Sequence, residues 1–183
     1  MRYIALLRGI NVGKNGRIRM DALKQLMEQA GFSHLETYIQ SGNVLFDSDL
    51  AETNAKETIE RALQDGANIS STAVLRTTDE LHALISDCPF SKEQIEEAQA
   101  VHPESESFYV CLLPHAPDVQ SLEKLNKLDS NGDMFIISGR NIYLLLRQGI
   151  RESKLAIQLQ RVFADMTVRN WNTMTKLDEL SRN

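Results

Sequence analysis

The 183-residue chain has only two cysteines, Cys88 and Cys111, with no CxxC or CxxH spacing. That excludes a disulfide framework and a cysteine-built zinc site, and it fits a reducing cytosol. No apolar run approaches the length of a membrane span. The N-terminal apolar stretch is one strand long and is soon interrupted by Arg8, too short for a signal-peptide core. These absences predict a soluble, cytoplasmic protein with no membrane partner. Aromatic residues are only 6% of the chain. RNA-recognition sheets expose aromatics on central strands beside basic residues. Tyr3, Tyr38 and Phe46 are the candidates for that use, and core packing is the competing one.

Catalytic signals are as sparse. The four histidines, His34, His82, His102 and His115, show no metal-ligand spacing, so no metal site is expected. Cys111 sits inside an apolar strand pattern and reads as core. Cys88, in "DCPF", has nothing nearby to lower its pKa. The carboxylates of "DELHALISD" and "EQIEE" fall on helical patterns and read as a solvated face. No nucleophile–base pair stands out, so the sequence assigns neither a reaction nor a cofactor.

What is present is a globular composition, 42% apolar and 25% charged, and a length that suits one ordinary domain or two small ones. The net charge of −5 is unevenly spread. Residues 1–20 carry Arg2, Arg8, Lys14, Arg17 and Arg19 and no acid, a net of +5. Residues 47–106 hold 14 acids against four bases, and residues 140–176 seven bases against two acids. Basic ends around an acidic middle allow a local anion site without indiscriminate nucleic-acid binding.

Strand and helix patterns alternate. Residues 2–7 predict a strand, and 20–32 a helix with Leu23, Leu26, Met27 and Ala30 at helical spacing and Gly31 as its stop. Residues 34–40 and 43–48 predict a hairpin, 52–66 a second helix and 72–77 a fourth strand. The order βαββαβ is the ferredoxin-like unit. The second half repeats it, with strands at 108–113, 133–147 (a hairpin) and 166–169, and helices at 118–128 and 153–164. "YIALLR" (3–8) matches "YVCLLP" (109–114), and "YIQSGNVLF" (38–46) matches "FIISGRNIYL" (135–144). The expected fold is α+β, two tandem ferredoxin-like units from a duplication. The boundaries are 1–78, a helical linker at 79–104, a second unit at 105–169 and a C-terminal helix at 170–183, capped by Asn170 or Asn172.

In such a unit the strands run in the order 4-1-3-2 with alternating directions. The end of the first strand and the turn between the second and third then share one edge of the sheet. "RGINVGK" (8–14) and "QSGN" (40–43) should be neighbours, bringing Arg8, Asn11, Lys14, Gln40, Ser41 and Asn43 together. Gly9 and Gly13 would let the backbone approach a ligand, and successive N–H groups form an anion-binding nest. "SGN" also makes a good turn on its own account, and the second half has "SGRN" there. The basic loop is different. Its counterpart, "PHAP" (114–117), has no glycine, lysine or arginine. The loop is not a P-loop: three residues separate Gly9 from Gly13, Asn15 follows Lys14, and the helix starts several residues late. A second polar cluster, Arg169, Asn170, Asn172 and Thr173 around the single tryptophan, reads either as an anion site at a helix N-terminus or as a capped helix anchored by Trp171.

"ALLRGINVG", "YIQSGNVLF", "GIRESKL" and "RNWNTMTKL", spread from residue 5 to residue 177, resemble the bacterial domain-of-unknown-function 1697 family. Its members usually read G-G-K-N after "INV", where this chain has Gly13-Lys14-Asn15-Gly16. The resemblance implies a duplicated α+β fold in a cytoplasmic protein and no established activity. Three functions stay open: a small anionic, phosphorylated ligand held by Arg8, Asn11, Gly13, Lys14, Gln40, Ser41 and Asn43, with Arg169, Asn170, Asn172 and Thr173 completing the pocket; a non-catalytic interaction protein whose polar motifs brace the fold; and a nucleic-acid-binding module using the basic ends.

Overall fold

The computed structural model of the chain describes residues 1–13 and 16–182. Lys14, expected in the anion site, lies outside the described residues. The chain divides into two compact units, Met1–Ala83 with Leu177–Asn183, and Leu84–Lys176.

The first unit runs β1 (Arg2–Leu7), α1 (Met20–Gln29), β2 (Ser33–Tyr38), β3 (Asn43–Asp47), α2 (Glu52–Ala67) and β4 (Ala73–Thr77), and then α3 (Thr78–Ser86) begins. Its sheet has the order β2-β3-β1-β4 with every neighbouring pair antiparallel. From Tyr3 to Leu7 β1 is apolar without interruption because it lies in the middle of that sheet and is buried on both faces. Tyr3, Ala5 and Leu7 on one face join Leu23 and Met27 of α1, Ile59 and Leu63 of α2, and Phe46 of β3 in one core. Tyr3 and Phe46 stack at 5.6 Å between ring centres within it. Both are buried, which leaves half-buried Tyr38 as the one accessible member of the three aromatics singled out above.

α1 stops three residues short of the expected end. The Gly31 N–H donates to Glu28 O at 3.0 Å and the Phe32 N–H to Met27 O at 3.1 Å. Those two bonds, with Gly31 at φ +94°, form a Schellman closure. Phe32 then turns into the core beside Met27.

The second unit contains α4 (Lys92–Val101), β5 (Phe108–Leu112), α5 (Val119–Leu125), β6 (Met134–Ser138), β7 (Asn141–Leu145), α6 (Lys154–Val162), β8 (Thr167–Asn170) and the start of α7 (Trp171–Ser181). Its sheet order, β6-β7-β5-β8, is again antiparallel throughout. Cys111, Ile142, Leu144, Leu155 and Leu159 form the centre of its core. Residues 79–104, expected as a helical linker, are mostly the helices α3 and α4. α4 opens with a capping box between Ser91 and Gln94. α5 is shorter than expected, since the chain leaves the helix after Leu125. No described helix is long and apolar enough to cross a membrane.

Candidate functional site

The end of β1 and the β2–β3 turn lie together. The Leu7 N–H donates to Gly42 O at 2.9 Å. Gly42 has φ +74°, and a Cβ there would stand 2.9 Å from the Cβ atoms of both Leu7 and Ile10. The glycine is therefore required by φ and by the close approach of the two segments. The second unit repeats this backbone bond, Leu113 N–H to Arg140 O at 2.9 Å, and Arg140 Nη1 there donates to Pro114 O at 3.3 Å.

Asn11 joins the basic loop to the turn. Its Nδ2 donates to Gln40 O and to Ile18 O, each at 2.9 Å, and its Oδ1 accepts from the Ile18 N–H at 2.9 Å. Its own N–H donates to Gly16 O at 2.9 Å. This clasp ties Asn11, Gly16 and Ile18 to the β2–β3 turn at the sheet edge. Asn43, fully buried, does similar work inside the turn, with Nδ2 donating to Ser41 Oγ at 2.9 Å and to Tyr38 O at 3.2 Å. The amides of Asn11 and Asn43 are thus held by protein groups, while the Gln40 side chain is exposed.

Beside this clasp is an open hollow of about 690 Å3, lined by Asn11, Arg17, Ile18, Arg19, Met20, Asp21 and Gln40. Arg17 and Arg19 were counted in the basic N-terminus by sequence but not placed at the site. Arg17 Nε donates to Gly13 O at 3.3 Å, which ties the exposed Gly13, at φ +68°, to the same rim. Arg19 forms a forked pair with Asp21, Nη2 to Oδ2 at 3.0 Å and Nε to Oδ1 at 3.1 Å. The Arg19 hydrogen bonds hold the Asp21 carboxyl below the usual carboxylate range. Arg8 does not line the hollow. It is half-buried, and its guanidinium has no hydrogen bond or ion pair among the described residues. Its backbone N–H donates to Thr72 O at 2.9 Å and its carbonyl accepts from Ser71 Oγ at 2.8 Å.

The second polar cluster belongs to the second unit. Asn170 caps α7, its Oδ1 accepting from the N–H of buried Thr173 at 2.9 Å. Asn172 Nδ2 donates to Glu106 Oε1 at 3.0 Å. Arg169 Nη1 donates to Thr167 Oγ1 at 2.8 Å and to Val168 O at 2.9 Å. Burial pulls its guanidinium down to about 10, the direction expected when a charge is desolvated. Trp171 lies flat on Phe108, 4.4 Å between ring centres and 17° between planes.

Burial raises the Cys111 thiol to about 12 and also raises Cys88, so neither is poised as a nucleophile. Among the described residues no group of three or more His, Cys, Asp or Glu side chains is placed to hold a metal ion.

No curated protein matches the chain. The conserved bacterial protein SP0830 from Streptococcus pneumoniae is similar in structure, with a TM-score of 0.78 at 21% identity, over 100% of this chain and 98% of that one. At that identity the likeness shows the fold. The sequence pattern of a family described as a protein of unknown function (DUF1697) matches residues 1–143, which includes β1, the basic loop and the β2–β3 turn. The chain belongs to the domain-of-unknown-function 1697 family.

Proposed function

We propose that the first unit binds a small phosphorylated ligand in the hollow beside the basic loop. The observation that carries this reading is the meeting of Arg17 and the Gln40 amide across a roomy depression whose walls are held by the Asn11 clasp. Arg17 and Lys14 supply charge, with Arg19 offering its guanidinium once a ligand competes with exposed Asp21. Gln40 orients the ligand by hydrogen bonding. Arg8, at the end of β1 with no carboxylate beside it among the described residues, adds positive potential to the same sheet edge. Asn11, Ser41 and Asn43 act on the ligand indirectly, by holding the loop and turn in place. The absence of a comparable basic loop at 114–117 supports a specialised role for this one. In the same reading, residues 1–78 and 105–169 are copies of one ferredoxin-like βαββαβ plan, joined by 79–104 and followed by the helix at 170–183. Their shared strand order and the two short sequence matches support that duplication.

A thermal-shift panel of sugar phosphates, nucleotides, coenzymes and short RNA tests the reading, with Arg17→Ala run beside wild type. A ligand at a hundred times its Kd adds about 2.7 kcal/mol, a rise on the order of 5–10 °C for a protein of this size. The expected result is a shift in wild type that Arg17→Ala abolishes. A flat panel, or a shift that survives the substitution, overturns the proposal and leaves the loop as a brace. A shift given only by RNA, lost steeply with added salt, would identify a nucleic-acid module instead.

A further inference from the structure

A second hollow, of about 420 Å3, lies wholly within the second unit. Its size suits a small molecule. Ile95, Ala100 and Pro103 give it apolar walls, and Phe108 and Trp171 contribute the aromatic part. One face of the Trp171 indole is covered by Phe108, and Phe90 meets Phe108 edge-on at 5.7 Å, so the aromatic group is braced from behind. The wall from 99 to 107 is held firmly as well. Gln99 Nε2 donates to Ser105 O at 2.8 Å, and its Oε1 accepts from Ser107 Oγ at 3.0 Å.

The two charged side chains that line this hollow are both acidic. Glu96 and Glu106 both line it and both are exposed. Asn172 grips both oxygens of Glu106, at 3.0 and 3.3 Å, and so aims that carboxylate. Residues 93–106 hold Glu93, Glu96, Glu97, Glu104 and Glu106 and no lysine or arginine. Glu96 pairs with Lys92 at 3.5 Å, an exposed contact that a ligand can displace at little cost. An apolar floor with an indole, rimmed by carboxylates, has the chemistry of a site for an organic cation. The ring face attracts positive charge, the carboxylates neutralise it, and the apolar walls cover a short hydrocarbon stem.

We propose that this hollow binds a small organic cation, an ammonium or guanidinium group on a short apolar stem, placed over Trp171 between Glu96 and Glu106. The proposal does not depend on the phosphate reading of the first unit. Trp171 is the only tryptophan, so its fluorescence reports the site directly. The experiment titrates agmatine into the protein at constant ionic strength, with n-pentanol as the uncharged comparison. The expected result is a saturable change with agmatine and none with pentanol at equal concentration. A Glu96→Gln/Glu106→Gln variant should weaken agmatine binding roughly tenfold or more, with its melting temperature kept as proof of folding. An absent or non-saturating response, an equal response to pentanol, or unchanged binding in the variant would overturn the proposal. Tighter binding of a tetralysine peptide than of agmatine would overturn it in favour of a docking surface for basic protein segments.

Discussion

Asn11 shows how a single side chain sets the shape of the first-unit site. Its backbone is left-handed, φ +56°, a region that asparagine tolerates better than most residues. Its amide serves three backbone groups, Ile18 N–H, Ile18 O and Gln40 O. Alanine at this position would leave all three without that partner and would add strain at positive φ. Each lost hydrogen bond costs about 0.5–1.5 kcal/mol net, discounted here because the loop is partly exposed. Asn11→Ala should therefore lower stability by about 2 kcal/mol, read from the urea midpoint with an unchanged slope. A loss below about 0.5 kcal/mol would contradict the clasp. Asn11 and Arg17 are both polar residues of one loop, and nothing in the local sequence separates them. The Asn11 amide is fixed by Ile18 and also by Gln40, 29 residues away.

At the scale of elements, the β6–β7 hairpin and α6 share one buried connection. Asp133, just before β6, accepts from the Arg147 N–H at 2.9 Å through Oδ1 and from Ser153 Oγ at 2.7 Å through Oδ2. Ser153 in turn caps α6 by accepting from the Ala156 N–H at 3.0 Å. Both residues are buried. Ser153→Ala removes a helix cap, worth about 1 kcal/mol, and leaves a buried carboxylate oxygen without its partner, worth a similar amount or more. The expected loss is about 2–3 kcal/mol by chemical denaturation, and Ser153→Thr should recover most of it. Element positions were largely legible in sequence, because apolar spacing at periods of 2 and 3.6 reports which residues face a core. Helix ends were less so. The expected end of α1 at residue 32 ignored the bonds from Gly31 and Phe32 back to Glu28 and Met27 that close the helix at Gln29.

Across the molecule, the response to alkali has a definite sign. Burial raises the Cys111 thiol to about 12, and raises the Tyr143 hydroxyl to about 12 with help from neighbouring Cys88 and Asp87. Tyr143 also donates to Leu84 O at 2.8 Å, which requires its proton. In the unfolded chain these groups lose their protons near pH 8.5 and 10. Between those values and about 12 the unfolded state therefore binds fewer protons than the folded one, and stability falls as pH rises. The contribution is complete below about pH 8.5, and each proton contributes up to about 1.4 kcal/mol per pH unit above its unfolded pKa. Denaturation midpoints measured from pH 7 to 10.5 should decline from about pH 8.5. Cys111→Ala should reduce the part of that decline that begins below pH 10, the raised Cys88 thiol supplying the rest, at some cost in core packing. A flat profile in wild type would show that these groups ionise freely in the folded protein.

The sequence by itself determined the alternation of strands and helices, the repeated order of elements in two units, and the family. It also brought the basic loop and the SGN turn to one edge, because strand order follows from connection lengths and antiparallel pairing. Only the tertiary structure decided that the amides of Asn11 and Asn43 turn inward, that Arg17 and Arg19 reach the hollow, and that Trp171 lies on Phe108 beside a carboxylate rim. Several of those outcomes rest on contacts between residues far apart in the chain, 11 with 40, 106 with 172 and 108 with 171. Local patterning reports which way a side chain faces along its own element. It carries no record of the partner that a fold brings to it.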